Sequence, residues 1–290
     1  MYGLNASGPA PKSLSVAALK DRGFEKIPSY GVEPIDVPGA VAGWMTLHER
    51  FGKLPLEEVM APAIRYAEEG YPVTPNISRL WQEAFENYSK YRERPEFQGW
   101  FDTFAPNNTW LKPGEMFRCP DMAKTLKEIA ATKGEAFYRG AIAEKIDAFF
   151  KKHNGFLIKE DLAAFKPEWV DPISVNYHGV DVWELPPNGH GITVLMALQI
   201  LKDMNLAERD CADTMHKQIE AMKLAMVDTA EYVAEPSFMR VSADQLLSED
   251  YAAKRRALIN DKAIMPEPGD PGCPSTVYFC CADSEGNMVS

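Results

Sequence analysis

The stretch Pro266-Glu-Pro-Gly-Asp-Pro-Gly-Cys-Pro274 constrains this chain more than any other. Proline lacks the N–H and fixes φ while glycine adds backbone freedom, so such a segment forms neither a helix nor a paired strand. The character then reverses at once. Thr276 to Ala282 is a run of β-branched, aromatic and small apolar residues, Asp283-Ser-Glu-Gly-Asn287 carries turn chemistry, and Met288-Val289-Ser290 opens a second strand. Thr276 therefore stands where an irregular linker meets a sheet, and a threonine there has two readings. It can start a strand for packing reasons alone, as threonines often do. It can also be an N-terminal nucleophile, released when the chain cuts itself at Ser275–Thr276, with its hydroxyl attacking and its freed α-amine acting as local base.

The rest of the chain is long enough for a sizeable core: 290 residues, 46% of them hydrophobic, allow one large domain or two intimate ones. A net charge of −11, with no basic run longer than the three residues Lys254-Arg255-Arg256, argues against a nucleic-acid partner. No apolar run approaches the roughly 20 residues a membrane helix needs. The five cysteines, Cys119, Cys211, Cys273, Cys280 and Cys281, show neither metal-ligand spacing nor a disulfide framework. Cys280 and Cys281, adjacent on a strand, would point to opposite faces. Cys273 lies near the proposed cut but has no neighbouring histidine, and His48-Glu49 lacks the second histidine of a zinc-protease helix. Neither a metal nor a cofactor is called for.

Along the chain the content is mostly helix. Helices are expected over 13–26, after the turn at Pro38-Gly39, over 56–69, in a hairpin within 76–110, over 121–132, 136–153, 192–204 and 213–233, and near 248–260. The 56–69 segment carries its apolar stripe at Val59, Met60, Ile64 and Ala67. Small residues Gly39, Ala40, Ala42 and Gly43 favour close packing. The aromatic-rich hairpin, from Trp81 to Trp110, reads as a hydrophobic core in preference to a ligand groove. A β-hairpin is expected around His178-Gly179. The turn Pro186-Pro-Asn-Gly-His-Gly191 before an apolar helix either redirects the chain or binds an anion on free N–H groups. These strands are too few to close a sheet by themselves.

Taken in order, Val37-Pro-Gly-Ala-Val-Ala-Gly-Trp44, His48-Glu-Arg-Phe-Gly-Lys-Leu-Pro55, Ala61-Pro-Ala-Ile-Arg-Tyr-Ala-Glu-Glu-Gly70, Ala136-Phe-Tyr-Arg-Gly140, Glu160-Asp-Leu162, Pro186-Pro187 with Gly191, Glu220-Ala-Met-Lys-Leu-Ala225, and Thr276 with Asp283, Gly286-Asn287 and Val289-Ser290 resemble the γ-glutamyltransferase (glutathione hydrolase) family of N-terminal-nucleophile hydrolases. The resemblance implies an α+β fold, the αββα sandwich of those hydrolases, of which this chain supplies mostly the helical large-subunit part. It implies a precursor that cuts itself, with residues 1–275 belonging to the large subunit and 276–290 opening the small one, the two remaining associated. On this alignment opening strands are expected before Met1 and most of the small subunit after Ser290, so the piece alone is expected to be inactive.

The implied chemistry is attack of the Thr276 hydroxyl on a γ-glutamyl amide such as glutathione, giving an acyl-threonine ester that water or an acceptor amine resolves. The family's side chains that hold the substrate amino group lie beyond Ser290, so none is named here. The family also carries an arginine shortly before an Ala-Pro pair, where it clamps the substrate α-carboxylate. Here Asn5-Ala-Ser-Gly-Pro-Ala-Pro11 has Ser7 and Gly8 at those positions, and Val277 and Tyr278 replace the usual threonine and histidine after the nucleophile. These departures point toward a transferase-like branch or toward cephalosporin-acylase relatives with a different acyl amide. A non-catalytic scaffold paralogue is the remaining alternative, and Thr276 argues against it, since a degenerate copy has no reason to retain the nucleophile. The compartment stays open between cytoplasm and export.

Overall fold

The computed structural model describes residues 1–206, 208–272, 281–282 and 288–289. Among them, every strand belongs to a two-stranded pair, and helices supply the bulk of the structure. Packing divides the chain into two units, Leu4–Glu168 and Trp169–Ser290 together with Met1–Gly3.

Two short strands, β1 (Gly3–Asn5) and β4 (Glu168–Val170), span the points where the chain divides; within Leu4–Glu168 the remaining elements are α1 (Val16–Asp21), α2 (Ala40–Phe51), α3 (Leu56–Glu69), β2 (Tyr71–Pro72), α4 (Pro75–Ser89), α5 (Gln98–Phe104), β3 (Met116–Phe117), α6 (Pro120–Thr132), α7 (Glu135–Arg139), α8 (Ala141–Lys152) and α9 (Lys159–Ala164). α1 is shorter than the 13–26 helix expected, because Ser15 caps its start and Gly23, at φ 83°, turns the chain out after Arg22. The helix expected over 136–153 breaks at Gly140, whose extended backbone separates α7 from α8. α3 and α6 pack together, and Val37, Val41, Leu56, Met60, Ile129, Ile142, Leu157 and Leu162 form one buried core. Met60 is inside as expected, but Val59 is exposed.

The unit beginning at Trp169 contains β5 (Ile173–Tyr177), β6 (Val180–Glu184), α10 (Gly191–Leu201), α11 (Ala212–Tyr232), α12 (Ala243–Leu246), α13 (Glu249–Arg256), β7 (Cys281–Ala282) and β8 (Met288–Val289). β5 and β6 pair antiparallel with Tyr177 opposite Val180, and His178 and Gly179 both take positive φ, 50° and 87°, the turn suited to the twist of such a hairpin. α10 is apolar almost all round, and it is buried accordingly. It packs on α11 and α13 through Ile192, Met196 and Ile200 against Ala221, Leu224, Ala225, Tyr251 and Ala252. The final hairpin is present where the sequence placed it, with Cys281 opposite Val289 and Ala282 opposite Met288.

Candidate active site

Ser275 and Thr276 lie outside the described residues, as do Val277, Tyr278 and Cys273. The described chain reaches Gly272 on one side and resumes at Cys281 on the other, so the approach to Thr276 is what the structure displays. That approach is firmly seated. From Asn260 to Gly272 the backbone is neither helix nor strand, and several of its polar groups bond to side chains from α11, α12 and α13. The His216 Nε2 lies 2.6 Å from the Asn260 carbonyl oxygen. Ile264 donates its N–H to Glu220 Oε2 at 3.2 Å, and its carbonyl accepts from Lys223 Nζ. Arg255 Nη2 donates to the Glu267 carbonyl at 2.7 Å, and Gly269 donates its N–H to Asp228 Oδ1 at 2.8 Å. The Tyr232 hydroxyl donates to the Gly269 carbonyl, and Gln245 Nε2 donates to that of Gly272.

The groups at the centre of this seat are deeply buried: Asp228 is 0% and Arg255 4% exposed. Arg255 Nε stands 2.9 Å from Asp228 Oδ2. The pair is close but poorly aligned, since these two atoms and the Tyr251 hydroxyl have no well-directed hydrogen bond among the described residues. Burial pushes the Asp228 carboxyl above its ordinary range, against the pull of the Gly269 N–H and the Arg255 charge. Burial and the neighbouring Asp228 charge push the Tyr251 hydroxyl upward as well. An ion pair taken this far out of water adds little net stability, but removing one partner leaves a costly unpaired charge.

These anchors were not recognised from sequence as site residues, although a signal exists. Ala221, Leu224, Ala225, Asp228 and Thr229 follow the i, i+3, i+4, i+7, i+8 spacing of a buried stripe. An aspartate on that stripe must be paired or bonded inside the protein.

The loop at Ser7 and Gly8 is closed against its neighbour. A Cβ added to Gly8 would overlap the Val37 carbonyl oxygen, and one added to Gly39 would overlap that of Ala6. Two backbones therefore lie in direct contact, tied by the Val37 N–H to the Pro9 carbonyl at 3.0 Å. The small residues around Gly39 thus do serve close packing, by admitting this loop. Tyr138 holds the same corner, its hydroxyl donating to the Pro38 carbonyl at 2.7 Å and accepting from the Ala42 N–H at 3.0 Å. The side chain of Ser7 faces outward.

Other candidate places resolve more simply. The Glu184 carboxylate lies against Gly191 at the start of α10, so the turn's helix N-terminus already faces a protein anion. The aromatic hairpin is a core where Phe97 and Phe101 are buried, while Ile77, Leu80, Trp81, Trp100, Phe104 and Phe117 border an open apolar hollow of about 270 Å³. Among the described residues no three His, Cys, Asp or Glu side chains converge to hold a metal ion. No described helix is long and apolar enough to cross a membrane.

A family model for gamma-glutamyltranspeptidase matches residues 1–290. The chain belongs to the gamma-glutamyltranspeptidase family. A glutathione hydrolase proenzyme of Pseudomonas aeruginosa is 32% identical to it over 300 residues, covering 100% of this chain and 52% of the relative. The crystal structure of cephalosporin acylase from Bacillus halodurans matches with a TM-score of 0.91 and 52% identity over 99% of this chain and 53% of that one. The gamma-glutamyltranspeptidase of Helicobacter pylori matches with a TM-score of 0.82 and 27% identity over 92% of this chain and 78% of that one. This gamma-glutamyltranspeptidase-family chain spans about half the length of the curated relatives it matches. Its fold is the α+β fold of the N-terminal-nucleophile hydrolases, represented here mostly by helices.

Proposed function

We propose that this chain carries the nucleophile of an autoprocessing amide hydrolase or acyltransferase, and that the nucleophile is Thr276. In the first event the Thr276 Oγ attacks the Ser275 carbonyl carbon. The C–N bond breaks as the C–O ester bond forms, and the hydroxyl proton passes to the leaving nitrogen. Water then hydrolyses the ester, releasing the Ser275 carboxylate and freeing the Thr276 hydroxyl beside a new α-amine. In turnover that amine takes the hydroxyl proton while Oγ attacks the substrate amide and passes it to the departing amine; water or an acceptor amine then resolves the acyl-threonine ester. The observation that carries this reading is the family match over the whole chain, which includes Thr276 and the paired strands Cys281–Ala282 and Met288–Val289. The associated large and small subunits are part of the same proposal.

Intact mass of the protein made from the complete reading frame tests it. The expected result is two pieces meeting at Ser275–Thr276 in the wild type, a single uncut chain in Thr276→Ala, and partial cutting in Thr276→Ser. Cutting of Thr276→Ala at the same bond overturns the assignment.

For the substrate, the family supports a γ-glutamyl amide such as glutathione. A second reading, an acylase for a different acyl amide, is favoured by the closed Ser7–Gly8 loop, which offers no arginine for an α-carboxylate, and by the 52% identity to a cephalosporin acylase. A γ-glutamyl anilide and a matched anilide lacking the α-carboxylate separate the two. A site built around a carboxylate clamp should prefer the first by at least about 10²-fold in kcat/KM, because it otherwise leaves a buried charge unpaired. Near-equal values favour the acylase.

A further inference from the structure

Side chains that hold an irregular segment by its backbone fix a point of the chain in space, and here the point lies just before the bond to be cut. Gly269 shows how closely the segment is seated. A Cβ there would lie 2.5 Å from the Tyr251 hydroxyl and 2.9 Å from Arg255 Nη1, so this backbone rests directly on the buried cluster. The cavity bordered by Asp228, Tyr251 and Arg255 has no room for a water-sized guest, which leaves the backbone itself as what the cluster grips. We propose that Asp228, Arg255, Tyr232 and Gln245 are positioning residues for self-cleavage, clamping Gly269–Gly272 so that the Ser275–Thr276 bond is presented to its own cutting chemistry. This rests on the reading that the chain cuts itself at that bond.

The reach of the chain gives the clamp its value. Gly272 precedes Ser275 by three residues, so holding Gly272 confines the Ser275 carbonyl to within about 11 Å. With the clamp released, the last anchored residue is Ile264, eleven residues before Ser275, and the limit becomes about 38 Å. Because loop-closure probability falls as roughly the 3/2 power of length, this change alone lowers the chance of the productive arrangement by about sevenfold. Once the bond is cut, Thr276 is no longer joined to Gly272. The clamp therefore affects processing and not subsequent turnover, a separation that a simple fold-stabilising role does not produce.

The variants should disturb the clamp without emptying the core. Gln245 Oε1 accepts from the Ser242 N–H at 2.8 Å, capping α12, while Nε2 reaches Gly272. Gln245→Glu keeps the cap and puts an acceptor against the Gly272 carbonyl. Tyr232→Phe removes the hydroxyl that reaches Gly269. Each is made in the complete reading frame by cell-free synthesis beside Thr276→Ala, with the cut followed by mass over time and thermal midpoints of the precursors compared on a Thr276→Ala background. Gln245→Glu leaves Gly269 as the last anchor, six residues before Ser275, and is expected to keep its midpoint and to process about threefold more slowly; combined with Tyr232→Phe, which weakens the hold on Gly269, it is expected to be slower still, toward the roughly sevenfold of full release. After prolonged incubation, molecules that have cut should turn over substrate within about twofold of wild type. Wild-type processing rates in both variants overturn the proposal. So does an equal loss of processing and turnover, which marks a general structural role. A wild type that never cuts at Ser275–Thr276 refutes the underlying reading instead.

Discussion

Two buried acids on α11 show how much a single side chain's surroundings decide. Burial raises Asp228, and its bonds do not compensate. Burial also acts upward on Glu220, but there the hydrogen bonds from Lys223 and the Ile264 N–H outweigh it, and the carboxyl sits below its ordinary 4.5. The unfolded chain therefore takes up a proton at Glu220 more readily than the folded one. Stability from this group is complete above about pH 4.5 and is lost as pH falls toward the folded value. Thermal midpoints measured from pH 6 down to about 3 should drop less steeply in Glu220→Gln than in the wild type. At the other end of the chain, Gly8→Ala should cost about 1–3 kcal/mol in denaturant unfolding, because a Cβ meets the Val37 carbonyl, which is backbone and cannot swing aside. Ser7→Arg, on an outward-facing position, should stay within about 0.5 kcal/mol of wild type. If a carboxylate site lies within its reach, that same variant should raise kcat/KM for the γ-glutamyl anilide selectively.

Between elements, the ties that matter are hydrogen bonds from one side chain to another segment's backbone. Tyr138 on α7 serves both the Pro38 carbonyl and the Ala42 N–H at the start of α2. Its replacement by phenylalanine should cost about 1–3 kcal/mol by equilibrium unfolding, since two backbone groups lose their partner while the ring still fills the core. The break at Gly140 shows the same kind of dependence. Residues 136–152 have helical composition throughout, yet the extended Gly140 divides them, and Tyr138 on one side and Ile142 on the other both enter the core. Helix periodicity reports which residues are apolar, but it does not report where a tertiary contact redirects the axis.

For the molecule as a whole, the buried residues fall into separate clusters, with Leu162 in the Leu4–Glu168 unit and Leu224 in the unit beginning at Trp169. Each is 0% exposed, so Leu162→Ala and Leu224→Ala should each cost about 2–5 kcal/mol. Denaturant titration of the double variant should give their sum to within about 0.5 kcal/mol, as expected for sites that share no packing partners. A larger departure from the sum would mean that the two sites are energetically coupled. Much of this organisation was legible in the residues. Helix stripes, the His178-Gly179 hairpin, the proline-rich approach and the final strand–turn–strand are local, and local patterns of polarity and turn chemistry specify them. The family strings are likewise ordered along the chain, and they led to the N-terminal-nucleophile fold and to Thr276 as its candidate nucleophile. The seat beneath Gly269 was not legible in that way. Asp228, Arg255 and Gly269 are separated by 27 and then 14 positions, and no local rule joins them. Only the packing of α11 against α13 brings an acid and a base into the same dry interior, where each needs a partner and a passing backbone supplies one. Local patterns of residues specify most of the helices and turns, though not the break at Gly140, and mark where a nucleophile could stand. The tertiary structure decided which charges are buried together and which stretch of irregular chain they hold, because desolvation is a property of the assembled core and not of any segment within it.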